Sequence, residues 1–327
     1  MLIINEQQIQ KLYNMADAIQ DITAILTAKQ QGKINNPHRT VLDFPERQAS
    51  SLYMPSADLV GDIAGVKVVT IFPENPAQGK PTTQGMILLS DATNGEHVAL
   101  MTASYLTRLR TGALSAIATE RLARTDSRVL TVIGTGAMAF EQVLGVLEVR
   151  AIERIILVNR TPEKAEAFGG KLKAFGVEIP YEVETDVQKA VKQADILCCA
   201  TRSDNPVFDG RDLKPGTHIN GVGSYLPSMR EVDELTVERA DKIIADDLVG
   251  VKDEAGELIH CAESGDWSFD NMYAELGDLA VGEKAGRQSA EEITFFKSVG
   301  AAYFDLAVAK GVFAKAKASD SGIEVEM

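Results

Sequence analysis

The segment Val129-Leu130-Thr131-Val132-Ile133-Gly134-Thr135-Gly136-Ala137-Met138-Ala139 constrains the fold of this chain more than any other. A short apolar run passes straight into G-x-G-x-x-A and then into a helical pattern, Phe140 to Val149. In such a turn the first glycine permits the tight bend and the second lets a phosphate approach the backbone. The small third residue lets the helix pack close to the strand. The helix N-terminus adds free N–H groups and the positive end of a dipole, which suits an anion. A glycine-rich turn by itself is weak evidence, so the context decides. Strand-length apolar runs recur at Ile155 to Val158, near Ile179, and at Ile196 to Cys199, His218 to Val222 and Ile243 to Ala245, with helical segments between them. Alternation of this kind requires crossover connections and therefore a parallel sheet. Residues 126–299 read as a Rossmann-type dinucleotide-binding domain.

The chain before it follows a different pattern. Asn5 can cap a helix with Gln8 at the capping-box position, and Leu12, Met15, Ile19, Ile22 and Leu26 continue at helical spacing to Gly32. A polar, proline-bearing stretch, Asn35 to Ser51, leads to strand-like runs at Val66 to Phe72 and Met86 to Ser90. Asn94-Gly95 then signals a hairpin into His97 to Met101. A second helix is expected from about Thr102 to Arg124, and a long helical pattern from Ala290 to Lys317, which should return to the first unit. The fold class is thus α/β: the parallel-sheet domain plus a discontinuous α+β domain, residues 1–125 with 300–327, on an antiparallel sheet. Residues Ser319 to Met327 look like a loose acidic tail.

Composition excludes several partners. A net charge of −14 argues against nucleic acid and anionic membrane, both of which reward a basic surface. The apolar runs are far too short to span a bilayer, and MLIINEQQIQ has no signal-peptide pattern, so a cytoplasmic location is expected. Three cysteines, two of them adjacent at 198 and 199, suit a reducing compartment, and no Cys/His cluster has metal-ligand spacing. An anionic substrate of so acidic a chain needs its own local cations. Lys67 lies among valines in a strand and Arg110 lies in an otherwise apolar helix. Burying either is costly without an anionic partner. His218, inside a strand, is expected to be a packed core histidine, and Asp246-Asp247 a solvated turn.

For the dinucleotide, Gly134, Thr135, Gly136, Ala137 and Met138 form the expected phosphate cradle. The second strand ends in Val158-Asn159-Arg160-Thr161, without the carboxylate that grips a ribose 2′-hydroxyl. Asn159, Arg160 and Thr161, with Lys164 beyond them, favour a 2′-phosphate and hence NADPH, with NADH as the alternative. Ala200 and Thr201, and Val222, Gly223 and Ser224, end two further strands. They should flank the nicotinamide, because ligands bind outside the carboxyl ends of parallel strands.

Several ordered segments resemble the ornithine cyclodeaminase/μ-crystallin family: Tyr53-Met54-Pro55, Gly65-Val66-Lys67-Val68-Val69, Gly79-Lys80-Pro81-Thr82, Leu106 to Ala113, Gly134-Thr135-Gly136, Pro215 to Asn220 and Phe296 to Gly300. The resemblance, which runs nearly end to end, implies that Arg39, Lys67 and Arg110 hold a substrate carboxylate with Thr82 beside them. It also implies that Lys297 and Ser298 touch the nicotinamide carboxamide, and that the chain is a homodimer through the first-domain sheet. Two departures matter. Where cyclodeaminases carry an acid before Met-Pro this chain has Leu52, and where they carry a catalytic aspartate it has Tyr225. The Gly-Ser-x-x-Pro-x-Met-x-Glu form, residues 223–231, resembles the reductase branch instead. The expectation is an NAD(P)H-dependent reductase of a small cyclic imino acid such as Δ1-pyrroline-2-carboxylate, with Lys67 supplying the proton. The alternatives are a cyclodeaminase-type ammonia lyase, an alanine dehydrogenase-like enzyme, and a non-catalytic protein that holds NADPH and a small ligand.

Overall fold

The computed structural model describes residues 1–265 and 267–326, which form two compact units: Met1–Arg110 with Ala301–Met327, and Thr111–Gly300. The division falls inside a helix at Arg110/Thr111, earlier than the position near 125 suggested by the sequence pattern. No helix among the described residues is long and apolar enough to cross a membrane.

In the first unit, strand β1 (Leu2–Ile4) precedes two helices where one was expected, α1 (Glu6–Leu12) and α2 (Met15–Gln30). The Asn5/Gln8 capping box forms, but a second box, Asn14 with Asp17, restarts the helix. Asn14 offers the backbone an alternative to continuing the first helix, and its side chain accepts from Asp17 N–H. Next come β2 (Ile34–Asn35), β3 (Thr40–Phe44), β4 (Ala49–Asp58), β5 (Ile63–Ile71), β6 (Thr83–Asp91) and β7 (His97–Thr102), then helix α3 (Ser104–Leu122). The polar stretch before Ser51 thus holds an edge strand, every residue of which is exposed. Strands β2 to β7 pair antiparallel, and Gly95 supplies the positive φ of the hairpin between β6 and β7. The β1–β7 pair is the parallel exception.

In the second unit, β8 (Val129–Ile133), α4 (Ala137–Val149), β9 (Arg154–Val158), α5 (Pro162–Phe175), β10 (Tyr181–Val183), α6 (Val187–Gln193), β11 (Ile196–Cys199) and β12 (His218–Gly221) follow the expected alternation. Helix α7 (Glu234–Arg239), β13 (Lys242–Ala245), α8 (Leu248–Glu254), α9 (Gly256–Ser264), β14 (Ala274–Glu275), α10 (Leu276–Val281) and β15 (Thr294–Lys297) complete it. The strand order is β10-β9-β8-β11-β12-β15-β13-β14, all parallel. The expected helix from Ala290 therefore begins as a buried central strand, and only α11 (Ala302–Ala318) is helical, followed by β16 (Ile323–Glu324). Thr-Phe-Phe-Lys is a strand because it is short, aromatic and buried on both faces. The tail is tied down by β16, which pairs with β1.

Burial on both faces also explains why the strands of this unit read as unbroken apolar runs. Leu130, Val132, Ile155, Leu157, Ile196 and Cys198 pack with α4 and α5 residues such as Val143 and Phe168. Ile133, Ile156, Leu197, Cys199, Ile219 and Phe295 form the opposite core with Val191, Val237, Val251 and Leu258. The adjacent cysteines thus enter different cores. Their surroundings push both thiols up, Cys198 to about 12, with burial as the main cause.

Candidate active site

In the first unit, the sheet register sets one row of side chains under α11. Met54 pairs with Lys67, and Lys67 with Ile87. All three are buried, and α11 packs on β4, β5 and β6. Thr40 pairs with Tyr53, so the chain enters β3 with Arg39 beside that row. Lys67, 4% exposed, donates from Nζ to Asp305 Oδ2 at 2.5 Å. Arg110 Nε approaches Asp305 Oδ1 at 3.4 Å, and Thr107 Oγ1 donates to the same oxygen at 3.2 Å. Asp305 is 1% exposed and sits in the first turn of α11, where a helix dipole favours a negative charge.

The electrostatics follow from this geometry. Burial alone would raise the Asp305 carboxyl, but the Lys67 ammonium and Arg110 guanidinium hold it below its ordinary value. Burial lowers Lys67 from 10.5 to about 8; Asp305 opposes that shift, while the charges of Arg110 and Arg39 add to it. Arg39 and Arg110 thus lie within electrostatic range of Lys67. The anion that balances them was not foreseen. Asp305 carried a readable signal, a lone carboxylate in Ala301-Ala302-Tyr303-Phe304-Asp305-Leu306-Ala307-Val308-Ala309. It is the anionic partner that burial of Lys67 and Arg110 requires.

Thr82 is not on this row. Its carbonyl accepts from Phe72 N–H at the loop end of the β5–β6 pair, and Ile71↔Thr83 is the last pair before it, four pairs beyond Lys67↔Ile87.

In the second unit, Gly134 takes φ +88°, a conformation that side chains rarely adopt. A Cβ there would lie 2.6 Å from Thr201 Cγ2 and 2.8 Å from Ala200 O, so glycine is required. Gly136 caps α4 without a side-chain hydrogen bond, and a Cβ placed on it would meet nothing within 4 Å. The first-turn N–H groups of α4, with Thr135, Ala137 and Met138 around them, therefore border open space, as a pyrophosphate requires. Ala139 is fully buried against the sheet. Asn159 Nδ2 donates to Thr135 Oγ1 at 2.6 Å, and its Oδ1 accepts from Thr161 N–H at 3.0 Å. That asparagine ties the second strand end to the glycine turn, while Arg160 and Lys164 are exposed beyond it.

Ala200 and Thr201 leave β11 half-buried, and Val222-Gly223-Ser224 leave β12 beside them. This is the edge of the sheet where the strand order reverses, between β8 and β11, which is where such folds place a ligand. Three side chains expected here are committed elsewhere. Ser224 is fully buried and donates to Glu257. Lys297, with no exposed surface, donates to Ser224 O and Oγ at 2.7 and 2.5 Å and pairs with Glu257 at 2.9 Å. Ser298 Oγ donates to Asp246 Oδ2 at 2.7 Å. The Lys297 and Ser298 side chains are thus engaged within the protein, with Ser224 and Glu257 and with Asp246. His218 is a core residue as expected, paired with Thr294 and Asn220 and pushed down to about 3, mainly by burial. Asp246 is buried rather than solvated and also accepts from Gly300 N–H, while Asp247 caps α8. No group of three potential metal ligands occurs among the described residues.

One unit thus holds a nucleotide-type turn and the other a cluster of two buried cations on one carboxylate, and the whole chain matches known proteins. The family model for the ornithine cyclodeaminase/mu-crystallin family covers residues 1–320. A Delta(1)-pyrroline-2-carboxylate reductase of Bacillus cereus is 40% identical over 327 residues, with 100% of both chains covered. Thermococcus litoralis Delta(1)-pyrroline-2-carboxylate reductase, solved with NADH and L-proline, superposes with a TM-score of 0.96 at 35% identity, covering 99% of this chain and 100% of that one. An archaeal alanine dehydrogenase dimer with bound NAD gives 0.93 at 31% identity, covering 100% and 99%. Matches of this extent, through both units and both sites, place the chain in the ornithine cyclodeaminase/mu-crystallin family.

Proposed function

We propose that this protein is an NAD(P)H-dependent reductase of a small cyclic imino acid, with Δ1-pyrroline-2-carboxylate reduced to L-proline as the leading reaction. The observation that carries the reading is the Lys67–Arg110–Asp305 cluster, in which two buried cations lean on one carboxylate with Arg39 in electrostatic range. The excess positive charge suits a substrate carboxylate, which arginine grips through paired hydrogen bonds. The first unit is thus the substrate-binding domain and the second the dinucleotide-binding domain.

When bound, the dinucleotide supplies a hydride to the imine carbon next to the carboxylate. The remaining steps belong to the chain. Arg39 and Arg110 orient the acid and draw electron density from the reacting carbon. Lys67, at about 8, holds a proton at neutral pH and can release it from Nζ to the imine nitrogen, so that hydride and proton together complete the amine. Asp305 keeps the ammonium in place. Leu52 and Tyr225 lack the carboxylates that ammonia release from a diamino acid would use.

For the cofactor we favour NADPH, because Arg160 and no carboxylate follows the second strand. The two solved relatives carry NADH and NAD, so the assay includes both reductants. Tyr53, Val68 and Met86 form a row on the sheet face opposite Lys67, with Tyr53 38% and Met86 46% exposed. Together with the dimeric alanine dehydrogenase relative, that apolar row supports a homodimer, to be read by sedimentation.

The deciding experiment follows NADPH or NADH oxidation with Δ1-pyrroline-2-carboxylate, with pyruvate plus ammonia, and with L-ornithine. Turnover of the cyclic imine at the highest kcat/KM is expected. Ammonia release from ornithine without net change of reductant would overturn the proposal, and a preference for pyruvate plus ammonia would reassign the substrate.

A further inference from the structure

The Gly-Ser-x-x-Pro-x-Met-x-Glu motif ends in Glu231, a residue the mechanism above does not use. Its side chain has no exposed surface. Oε1 accepts from Thr201 N–H at 2.5 Å and from Thr201 Oγ1 at 2.8 Å. Oε2 accepts from Gly223 N–H at 2.7 Å and Ser224 N–H at 3.2 Å. One carboxylate therefore ties together the chain leaving β11 and the chain leaving β12. These are the two turns that flank the nicotinamide on the cofactor reading, on which this inference rests.

The surrounding packing leaves little slack. A Cβ on Gly223 would lie 2.1 Å from Thr201 O and 2.6 Å from Glu231 Oε1, so only glycine lets the two turns close on this side chain. A Cβ on Gly134 would strike Thr201 as well, so the phosphate turn is in register with the same point. Behind it, Lys297 and Glu257 lock Ser224. A fully buried carboxylate is costly, and apolar packing would join two strands more cheaply. Four donors converging on two oxygens fit an ionised carboxylate and nothing else of this size. An amide would turn its own NH2 group towards backbone N–H groups.

We propose that Glu231 is the positioning residue for the hydride donor: by bridging Thr201 to Gly223 and Ser224 it fixes the spacing of the two turns and hence the placement of the nicotinamide ring. It touches neither substrate nor reacting atoms. A purely structural residue would weaken every part of dinucleotide binding alike, whereas a positioning residue acts on the nicotinamide half alone. ADP-ribose, which carries the adenine and pyrophosphate but no nicotinamide, separates the two.

The test compares ADP-ribose and NADH binding by calorimetry, with steady-state kinetics, for the full-length protein and for Glu231→Gln and Glu231→Asp. For Glu231→Gln, ADP-ribose affinity should stay within about twofold. NADH affinity and kcat should each fall about tenfold or more, in line with the roughly hundredfold penalty of a 1 Å misplacement. Glu231→Asp keeps the charge but is one methylene short, and should recover part of the loss. If Glu231→Gln does not fold, the aspartate variant carries the same readout. Equal weakening of ADP-ribose and NADH, or wild-type kcat in both variants, would overturn the assignment. Failure of the unaltered protein to bind either ligand would overturn the cofactor reading and this one with it.

Discussion

Each unit buries a lysine against a carboxylate at short range, and the two pairs differ in what they leave over. Lys297 is closed. Its ammonium is shared among Ser224 O, Ser224 Oγ and Glu257, matching its three protons to three acceptors. Lys67 is open. It shares Asp305 with Arg110, two cations on one carboxylate, so positive charge is in excess at this pair. A balanced pair stabilises or specifies a fold, whereas an unbalanced one is poised for an incoming anion. Both lysines sit in strands and both invite a functional reading from sequence; only the count of partners separates them.

Substitution at the two lysines gives the sharpest test of that difference. Lys67→Ala should lower kcat by about 10²–10⁴, the range for loss of a positioned acid, while Arg110 continues to neutralise Asp305 and the fold survives. Wild-type kcat in this variant would remove Lys67 from the chemistry. Lys297→Met should instead act on stability, costing about 3–5 kcal/mol in a denaturant titration because Glu257 is left buried without its cation. Gly145→Ala calibrates the second unit without any change of charge. Its Cβ would lie 2.2 Å from Gly112 O, so a loss of about 1–3 kcal/mol is expected from overpacking alone.

The smallest effect is on the pH profile. Because Lys67 falls from 10.5 to about 8 in the folded protein, the protonated donor is present below pH 8 and lost above it. Reduction should therefore slow as pH rises through about 8. Asp305→Asn removes the charge that opposes burial, so the inflection in kcat should move to lower pH; a move to higher pH would contradict the assignment. The same shift has a stability sign. The cost of burying a charged Lys67 is carried in full below about pH 8 and is relieved between about 8 and 10.5, as the folded protein releases its proton first.

The sequence was most legible where local rules suffice. The glycine turn, the alternating strands of the second unit and the hairpin at Asn94-Gly95 depend on neighbours in the chain, and all formed as read. The misreadings had non-local causes. The strand Thr294–Lys297 looked like the start of a helix because nothing local shows that it slots between β12 and β13. The acceptors of Lys297, Ser224 and Glu257, are 73 and 40 residues away in sequence, so nothing local pointed to them. Asp305 lies 238 residues from Lys67, so the pairing could be suspected from a buried acid but not located. Glu231 was visible only as the last letter of a motif, until its four donors were seen together.

The neighbouring cysteines have a practical consequence. Thiol reagents attack the thiolate, and burial keeps Cys198, Cys199 and Cys261 protonated and out of reach. At Cys198 and Cys199 a disulfide-exchange dye should therefore react only as fast as the parallel sheet opens. Because Cys198 and Cys199 look into different cores, peptide mapping of the labelled sites would show which side of that sheet gives way first.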